Sequence, residues 1–227
     1  MKGLFITGTD TGCGKTCISL GLLQRYQQQG LRVQGMKPVA SGCTLRDGRW
    51  ENEDARQLLE QSSQPMSYDW VNPYAFAPAI APHLAAQQAG VTIELDRIRS
   101  CAAQLAQQSD WLIVEGVGGW QVPLGSELAV SDLPRALELP VVLVVGMRLG
   151  CLNHALLSLE SIDRCRVPLA GWVANTLDPK MAAFRENLRT LKERIPAPLL
   201  GTVPWCIQPD GETVAQYLDP RALPELS

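Results

Sequence analysis

The chain has 227 residues, 46% of them hydrophobic and 19% charged, an ordinary globular mix. A chain of this length buries roughly 70% of its unfolded surface, so it needs neither disulfides nor a metal to hold a core, and a single domain over residues 1–227 is expected. Twenty basic against 23 acidic residues give a formal charge of -3, and no Lys/Arg-rich run is present, which argues against nucleic acid as the main partner.

The seven cysteines are odd in number and include no Cys-x-x-Cys pair, so reduced thiols are expected. The two histidines, His83 and His154, exclude a His-rich metal site. Near the start, the apolar stretch Leu4-Phe5-Ile6 stops at Thr7-Gly8, too short for a secretory leader. The longest bulky apolar run, Val141 to Val145, is far below the roughly 20 residues that span a bilayer. These features predict a cytoplasmic chain with no membrane partner.

In chain order, Leu4–Thr7 reads as a strand, and Gly8-Thr9-Asp10-Thr11-Gly12-Cys13-Gly14-Lys15-Thr16 follows it directly. Ile18, Leu22 and Tyr26 then recur at helical spacing, so the glycine-rich segment joins a strand to a helix, the setting of a P-loop. There, backbone N–H groups of Gly12, Cys13, Gly14 and Cys17 converge on phosphate with the helix N-terminus, Lys15 reaches the outer phosphates, and the Thr16 hydroxyl suits magnesium. The loop departs from the strict pattern, with five residues rather than four between Gly8 and Gly14.

A second strand, Arg32–Met36, ends at Lys37-Pro38, which places Lys37 on the P-loop side of the sheet, where a cation faces developing phosphoryl charge. The following stretch, Ala40–Asn52, reads as irregular. Asp54, in Glu51-Asn52-Glu53-Asp54-Ala55, is either a second magnesium carboxylate or a residue favoured by a helix N-terminus, and the residues alone leave both open. Pro65–Pro82 again reads as irregular, and Leu95, Ile98 and Leu105 mark a helix. The strand Trp111–Glu115 then ends in the carboxylate that a P-loop requires for magnesium, followed by Gly116, Val117 and Gly118, where backbone can approach phosphate.

Beyond it, Val141–Val145 is apolar on consecutive residues, the mark of a strand covered on both faces. Gly150-Cys151-Leu152-Asn153 opens a helix whose free N–H groups can take a carboxylate. Leu169–Ala174 is a strand ending at Asn175, Phe184 to Ile195 a helix, and Leu199–Val203 a last strand leading into Pro204-Trp205-Cys206. The whole predicts an α/β fold with a central, mostly parallel sheet, helices on both faces and a P-loop NTPase-like plan.

These motifs together resemble the dethiobiotin synthetase family. The resemblance rests on the P-loop, Lys37-Pro38-Val39-Ala40-Ser41-Gly42, Val114-Glu115-Gly116 with Gly118-Gly119-Trp120, Gly150 to Ala155, Gly171 to Asn175, and Pro196 to Gly201 with Pro204-Trp205. It implies a reaction in which CO2 adds to an amine of 7,8-diaminopelargonate, the carbamate takes the γ-phosphoryl group of ATP, and the second amine closes the ring. By resemblance, Lys37 and Lys15 are catalytic, and Thr11, Lys37 and Ser41 bind substrate. Thr16, Asp54 and Glu115 are placed at magnesium, and Asn175, Thr176, Pro204, Trp205 and Cys206 beside the base. The Gly150–Asn153 segment holds the substrate carboxylate of a neighbouring subunit, which implies a homodimer with shared sites.

Alternatives remain. A MinD/ParA-like switch ATPase carries a lysine where this chain has Asp10, an amidotransferase needs a further glutaminase domain, and a kinase or ligase of another small molecule leaves Lys37 and Gly150–Asn153 unexplained. Asn175 and Asp178 keep part of the spacing of a guanine reader without its lysine, position 12 is glycine where the family often has glutamate, and the acidic residue after Trp205 is either Asp210 or Glu212. Cys13, Cys17, Cys151 and Cys206 fall in binding segments, so thiol modification is expected to impair activity.

Overall fold

The computed structural model describes residues 1–206 and 210–223; residues 207–209 and 224–227 of the predicted domain lie outside the described residues. The first strand β1 (Gly3–Gly8) leads through the P-loop into α1 (Lys15–Gln27), and β2 (Val33–Met36) follows. Four short strands and two helices come next: β3 (Val39–Ser41), β4 (Thr44–Arg46), β5 (Arg49–Glu51), α2 (Glu53–Gln61), α3 (Tyr68–Val71) and β6 (Tyr74–Phe76). Then come α4 (Pro82–Gln88), α5 (Leu95–Gln107), β7 (Trp111–Glu115), α6 (Asp132–Leu137), β8 (Val141–Met147) and α7 (Cys151–Arg164). The chain continues through β9 (Leu169–Thr176), α8 (Phe184–Arg194), β10 (Leu199–Val203) and α9 (Gly211–Ala215) to a 3-10 turn at Pro220–Ala222.

Six strands form one parallel sheet in the order β10-β9-β8-β1-β7-β2. Side-chain alternation splits its core into two layers. Leu4, Ile6, Val142 and Val144 face one side, against Ile18, Leu22 and Leu23 of α1 and Val214 of α9. Phe5, Val141, Leu143, Val145 and Trp172 face the other, where Ile98 and Leu105 of α5, Ala155 and Ile162 of α7 and Leu191 of α8 cover them. This is the expected architecture, and each of the six predicted strands is present. Among the described residues no helix is long and apolar enough to cross a membrane.

The order reverses around β1, whose neighbours β7 and β8 carry the chain to opposite edges. A crevice opens at the carboxyl end of the strands at such a point, and the P-loop stands there. Register fixes what surrounds it: Ile6 of β1 lies opposite Glu115 of β7, and Met36 of β2 opposite Val114. Glu115 and Lys37 therefore emerge side by side next to the loop that follows β1.

Two segments expected to be irregular are ordered instead. Val39–Ser41 pairs in parallel with Tyr74–Phe76, and Thr44–Arg46 with Arg49–Glu51 in a hairpin. The hairpin turns on Asp47 and Gly48, with φ of 47° and 80°, as an Asp-Gly two-residue turn requires. Strands of three residues are too short for alternation to reveal them.

Candidate active site

The P-loop is built by backbone geometry. Gly12 and Gly14 adopt φ of 77° and 97°, and a Cβ at Gly14 would fall on the Asn175 amide. Asn175, at the end of β9, donates from Nδ2 to the Cys13 carbonyl at 2.9 Å and so ties the loop to the sheet. Asp10 accepts from the Thr9 hydroxyl at 2.9 Å and pairs with Arg148 in the turn before α7. The Lys15 ammonium folds over its own loop, donating to the Asp10 carbonyl at 3.1 Å.

Beside the loop is a buried charge cluster. Lys37, 4% exposed, places Nζ 2.6 Å from Asp54 Oδ2 and 2.5 Å from Glu115 Oε1. Thr16 donates to the same Glu115 oxygen at 2.9 Å. Glu115 Oε2, on a residue that lines the larger cavity of the site, is buried with no hydrogen-bond partner. Burial alone would push the Lys37 amine down, but the charges of Glu115 and Asp54 outweigh it and hold it above the ordinary lysine value. Asp54 shows the converse: burial would raise it, and Lys37 with the Thr16 hydroxyl holds it below the usual carboxylate range.

The backbone that carries Lys37 is itself anchored. Its N–H donates to the Val71 carbonyl at 2.8 Å, and its carbonyl accepts from Asn72 Nδ2 at 2.7 Å. Asn72 Oδ1 accepts from the Tyr68 hydroxyl at 3.0 Å, and that hydroxyl accepts from the Asn52 N–H at 2.7 Å. Asn52 caps α2 by accepting from Ala55 N at 3.3 Å, which sets Asp54 in the first turn. Asn52, Tyr68 and Asn72 were not singled out in the sequence. Asn52 had a readable signal, a cap residue followed by Glu53 and Asp54, whereas the links from Tyr68 to Asn52 and from Asn72 to Lys37, 16 and 35 residues apart, exist only in the folded chain.

A cavity of about 660 Å³ collects eleven of the predicted residues: Thr11, Gly12, Gly14, Lys15 and Thr16 on one wall, Lys37, Ser41 and Asp54 on another, and Glu115, Val117 and Gly118 on a third. Ile80, Ala81, Pro82 and Val122 add apolar surface, and the Ser41 hydroxyl is buried without a partner. Gly116 packs beneath, against Phe5 and Val130.

A second cavity of about 190 Å³ continues past the P-loop and is lined by Gly14, Cys17, Asn175, Thr176 and the Pro204–Cys206 segment. Asp178 is not among its lining residues and accepts from the Lys180 N–H at 2.8 Å, so the partial guanine-reader pattern does not assemble. Asp210 caps α9, accepting from Thr213 N at 2.7 Å, and this hydrogen bonding holds its carboxyl below the usual range; Glu212 is exposed in the first turn. Gly150, with φ of 95°, starts α7 beside the fully exposed Leu149, and Gly150–Asn153 lines neither cavity.

Of the four cysteines in binding segments, Cys13 and Cys151 are sealed in the core, and burial pushes both thiols up, in Cys13 despite the charge of Lys15. Burial and then the charge of Cys206 push Cys17 up to about 12, and Cys206 is exposed. The expected sensitivity to thiol reagents therefore narrows to Cys17 and Cys206.

Fold and site define a P-loop NTPase-like protein. A chain of the MinC:MinD cell division protein complex of Aquifex aeolicus superposes with a TM-score of 0.58 at 11% identity, covering 95% of this chain and 86% of that one. A ParA family ATPase from Chlorobium tepidum gives 0.57 at 13%, covering 95% and 97%. Likenesses this distant speak to fold alone. The AAA domain family model matches residues 2–213. The ATP-dependent dethiobiotin synthetase BioD of Pseudomonas aeruginosa strain UCBPP-PA14 is 52% identical over 224 residues, 98% of each chain. Those of Xylella fastidiosa strain 9a5c and Cellvibrio japonicus are 50% and 47% identical, covering at least 96% of each chain. The chain belongs to the ATP-dependent dethiobiotin synthetase family, and the match extends beyond Trp205, where its sequence motifs end.

Two outcomes are expected. Tyr68→Phe strands the buried Asn52 N–H and Asn72 Oδ1, so urea denaturation should show a loss of about 1–3 kcal/mol; unchanged stability would separate this network from the fold. The Lys37 cluster adds a pH dependence. Asp54, held below its ordinary 3.8, contributes stability that is complete above that value and lost as pH falls through its folded pKa. Lys37, held above 10.5, contributes stability that is present below that value and lost as pH rises through its folded pKa. Denaturation midpoints measured across pH should be steepest in acid for the native chain and flatter there for Asp54→Asn.

Proposed function

We propose that residues 1–227 form one cytoplasmic catalytic domain that works as a homodimer, and that the two cavities described above are its substrate and nucleotide sites. The reaction is that of an ATP-dependent cyclo-ligase of biotin biosynthesis: 7,8-diaminopelargonate, CO2 and ATP give dethiobiotin, ADP and phosphate. The observation that carries the site assignment is the meeting of Lys37, Asp54 and Glu115 on the P-loop Thr16 in a chain about half identical to dethiobiotin synthetases.

One diamine nitrogen adds to CO2 and loses a proton, giving a carbamate. A carbamate oxygen attacks the γ-phosphorus and ADP leaves, forming a carbamic-phosphoric anhydride. The second nitrogen then attacks the carbamate carbon and gives up a proton, phosphate leaves, and the five-membered urea closes. In this reading the P-loop N–H groups and Lys15 hold the phosphates, and Lys37 faces the oxygens where charge accumulates. Thr11 and the unpartnered Ser41 hydroxyl bind the diamine and carbamate, with Ile80, Pro82, Val117 and Val122 along the alkyl chain.

Thr16, Asp54 and Glu115 are hard oxygen donors, and the orphaned Glu115 Oε2 fits them for a magnesium ion. When bound, that ion would neutralise charge on the β- and γ-phosphates. The adenine is assigned to the cavity of Asn175, Thr176, Pro204, Trp205 and Cys206. Gly150–Asn153, which lines neither cavity, is assigned to the diamine carboxylate in the partner's site. The switch-ATPase alternative needs a lysine at position 10, where Asp10 instead pairs with Arg148.

Reduced protein with the diamine, bicarbonate and Mg-ATP should release ADP and dethiobiotin in equal amounts, and Lys37→Gln should lower turnover by roughly two to three orders of magnitude while ATP still binds. ADP release that ignores the diamine would overturn the reading. For the shared site, mixing inactive Lys37→Gln chains with inactive Asn153→Leu chains should restore part of the activity, since a mixed dimer holds one intact site; no recovery after subunit exchange would refute it.

A further inference from the structure

The segment assigned to the diamine carboxylate, Gly150–Asn153, is presented by a turn that the core does little to hold. β8 ends at Met147, Leu149 is fully exposed, and a Cβ at Gly150 would meet nothing within 4 Å. Beside it, Thr9, Asp10 and Thr11 of the P-loop and His154 and Leu157 of α7 line a cavity of about 460 Å³. The turn and the P-loop are joined instead by an ion pair, in which the Arg148 guanidinium donates to Asp10 Oδ2.

Both ends of that pair are anchored. The other Asp10 oxygen, Oδ1, accepts from the Thr9 hydroxyl at 2.9 Å, and the Thr9 N–H donates to the Val144 carbonyl of β8 at 3.0 Å. The Arg148 carbonyl accepts from the N–H of Cys151, the first residue of α7, at 3.0 Å. A continuous path of contacts therefore runs from β8 through the P-loop to Arg148 and into the helix start. Backbone N–H groups at a helix start hold a carboxylate when they point at it together, and a segment ordered in advance loses less freedom when its ligand arrives. Neither Arg148 nor Asp10 lines the larger or the smaller cavity, so the pair stands outside the site of its own chain.

We infer, resting on the shared-site reading above, that Arg148 and Asp10 are a positioning pair for the diamine: the P-loop of one subunit holds the turn that its own chain presents to the substrate carboxylate in the partner's site. Arg148 touches neither nucleotide nor diamine in this arrangement and acts through the placement of Gly150–Asn153. Its loss is therefore felt in the affinity for the diamine and not in phosphoryl transfer, and it is felt in the site of the other subunit.

The test is steady-state kinetics of the full chain with Mg-ATP, bicarbonate and the diamine. Arg148→Met keeps an unbranched stem and removes the charge; it should raise KM for the diamine roughly tenfold while kcat and KM for ATP stay within about twofold. Arg148→Lys, which keeps a cation opposite Asp10, should recover most of that loss. Mixed dimers are then formed from Arg148→Met chains with Lys37→Gln chains in excess. Their one site with an intact Lys37 takes its carboxylate segment from the Lys37→Gln chain, which retains Arg148, so the recovered activity should show the native KM for the diamine. An unchanged diamine KM in Arg148→Met, a rise in KM for ATP in its place, no rescue by Arg148→Lys, or a KM still raised in the mixed dimer would each overturn the proposal. No recovery on mixing Lys37→Gln with Asn153→Leu would instead overturn the shared-site reading, and the positioning role with it.

Discussion

One carboxylate oxygen organises this molecule. Glu115 Oε1 accepts from the P-loop through Thr16 and from Lys37, so the elements following β1, β2 and β7 meet at a single buried atom. Parallel pairing makes this possible, because strands in register deliver their terminal residues to the same edge, and Ile6 opposite Glu115 sets the spacing. A shift of one residue in β7 would turn Glu115 to the other face and leave Lys37 buried without a counter-charge.

The rest of the site is support for that meeting point. Removing charge from water is expensive, and a buried pair holds only when its geometry is fixed and its remaining polar groups are satisfied. Here the fixing is done by neutral groups: Val71 and Asn72 hold the backbone of Lys37, and Tyr68 links them to the cap that sets Asp54. The short strands β3 and β6 close the same side, carrying Ser41 into the cavity. Segments that look like connecting loops are thus the frame that positions a cation against two carboxylates.

What could be read from the residues follows from the range of the interactions involved. Strands such as Leu4–Thr7 and Val141–Val145 were legible as apolar runs between turn residues, and the P-loop because its glycines, lysine and threonine lie close together in sequence. Glu115 was legible as the end of an apolar strand. The role of Asp54 was not, since a first-turn acid and a site carboxylate look alike until Lys37 is seen beside it. Tyr68 and Asn72 stand four apart at the two ends of α3, and the contacts that join them to Asn52 and Lys37 span 16 and 35 residues, beyond the reach of a local pattern. The Asp47-Gly48 turn was legible in principle, and it was hidden by a stretch otherwise rich in glycine and polar residues.

The two lysines show how such a site can be both stable and ready. Each is satisfied within the protein itself, Lys15 by the Asp10 carbonyl and Lys37 by Glu115 and Asp54. Neither ammonium has to be stripped of a full water shell when phosphate arrives; it exchanges one set of oxygens for another in surroundings already dry. Such preorganised donors act on transition-state charge with little reorganisation, which is where electrostatic catalysis draws its strength. At the same cavity, Glu115 Oε2 and the Ser41 hydroxyl are buried with no hydrogen-bond partner within the chain. Under the proposed assignment, magnesium and substrate would give both atoms the partners that the chain itself does not supply.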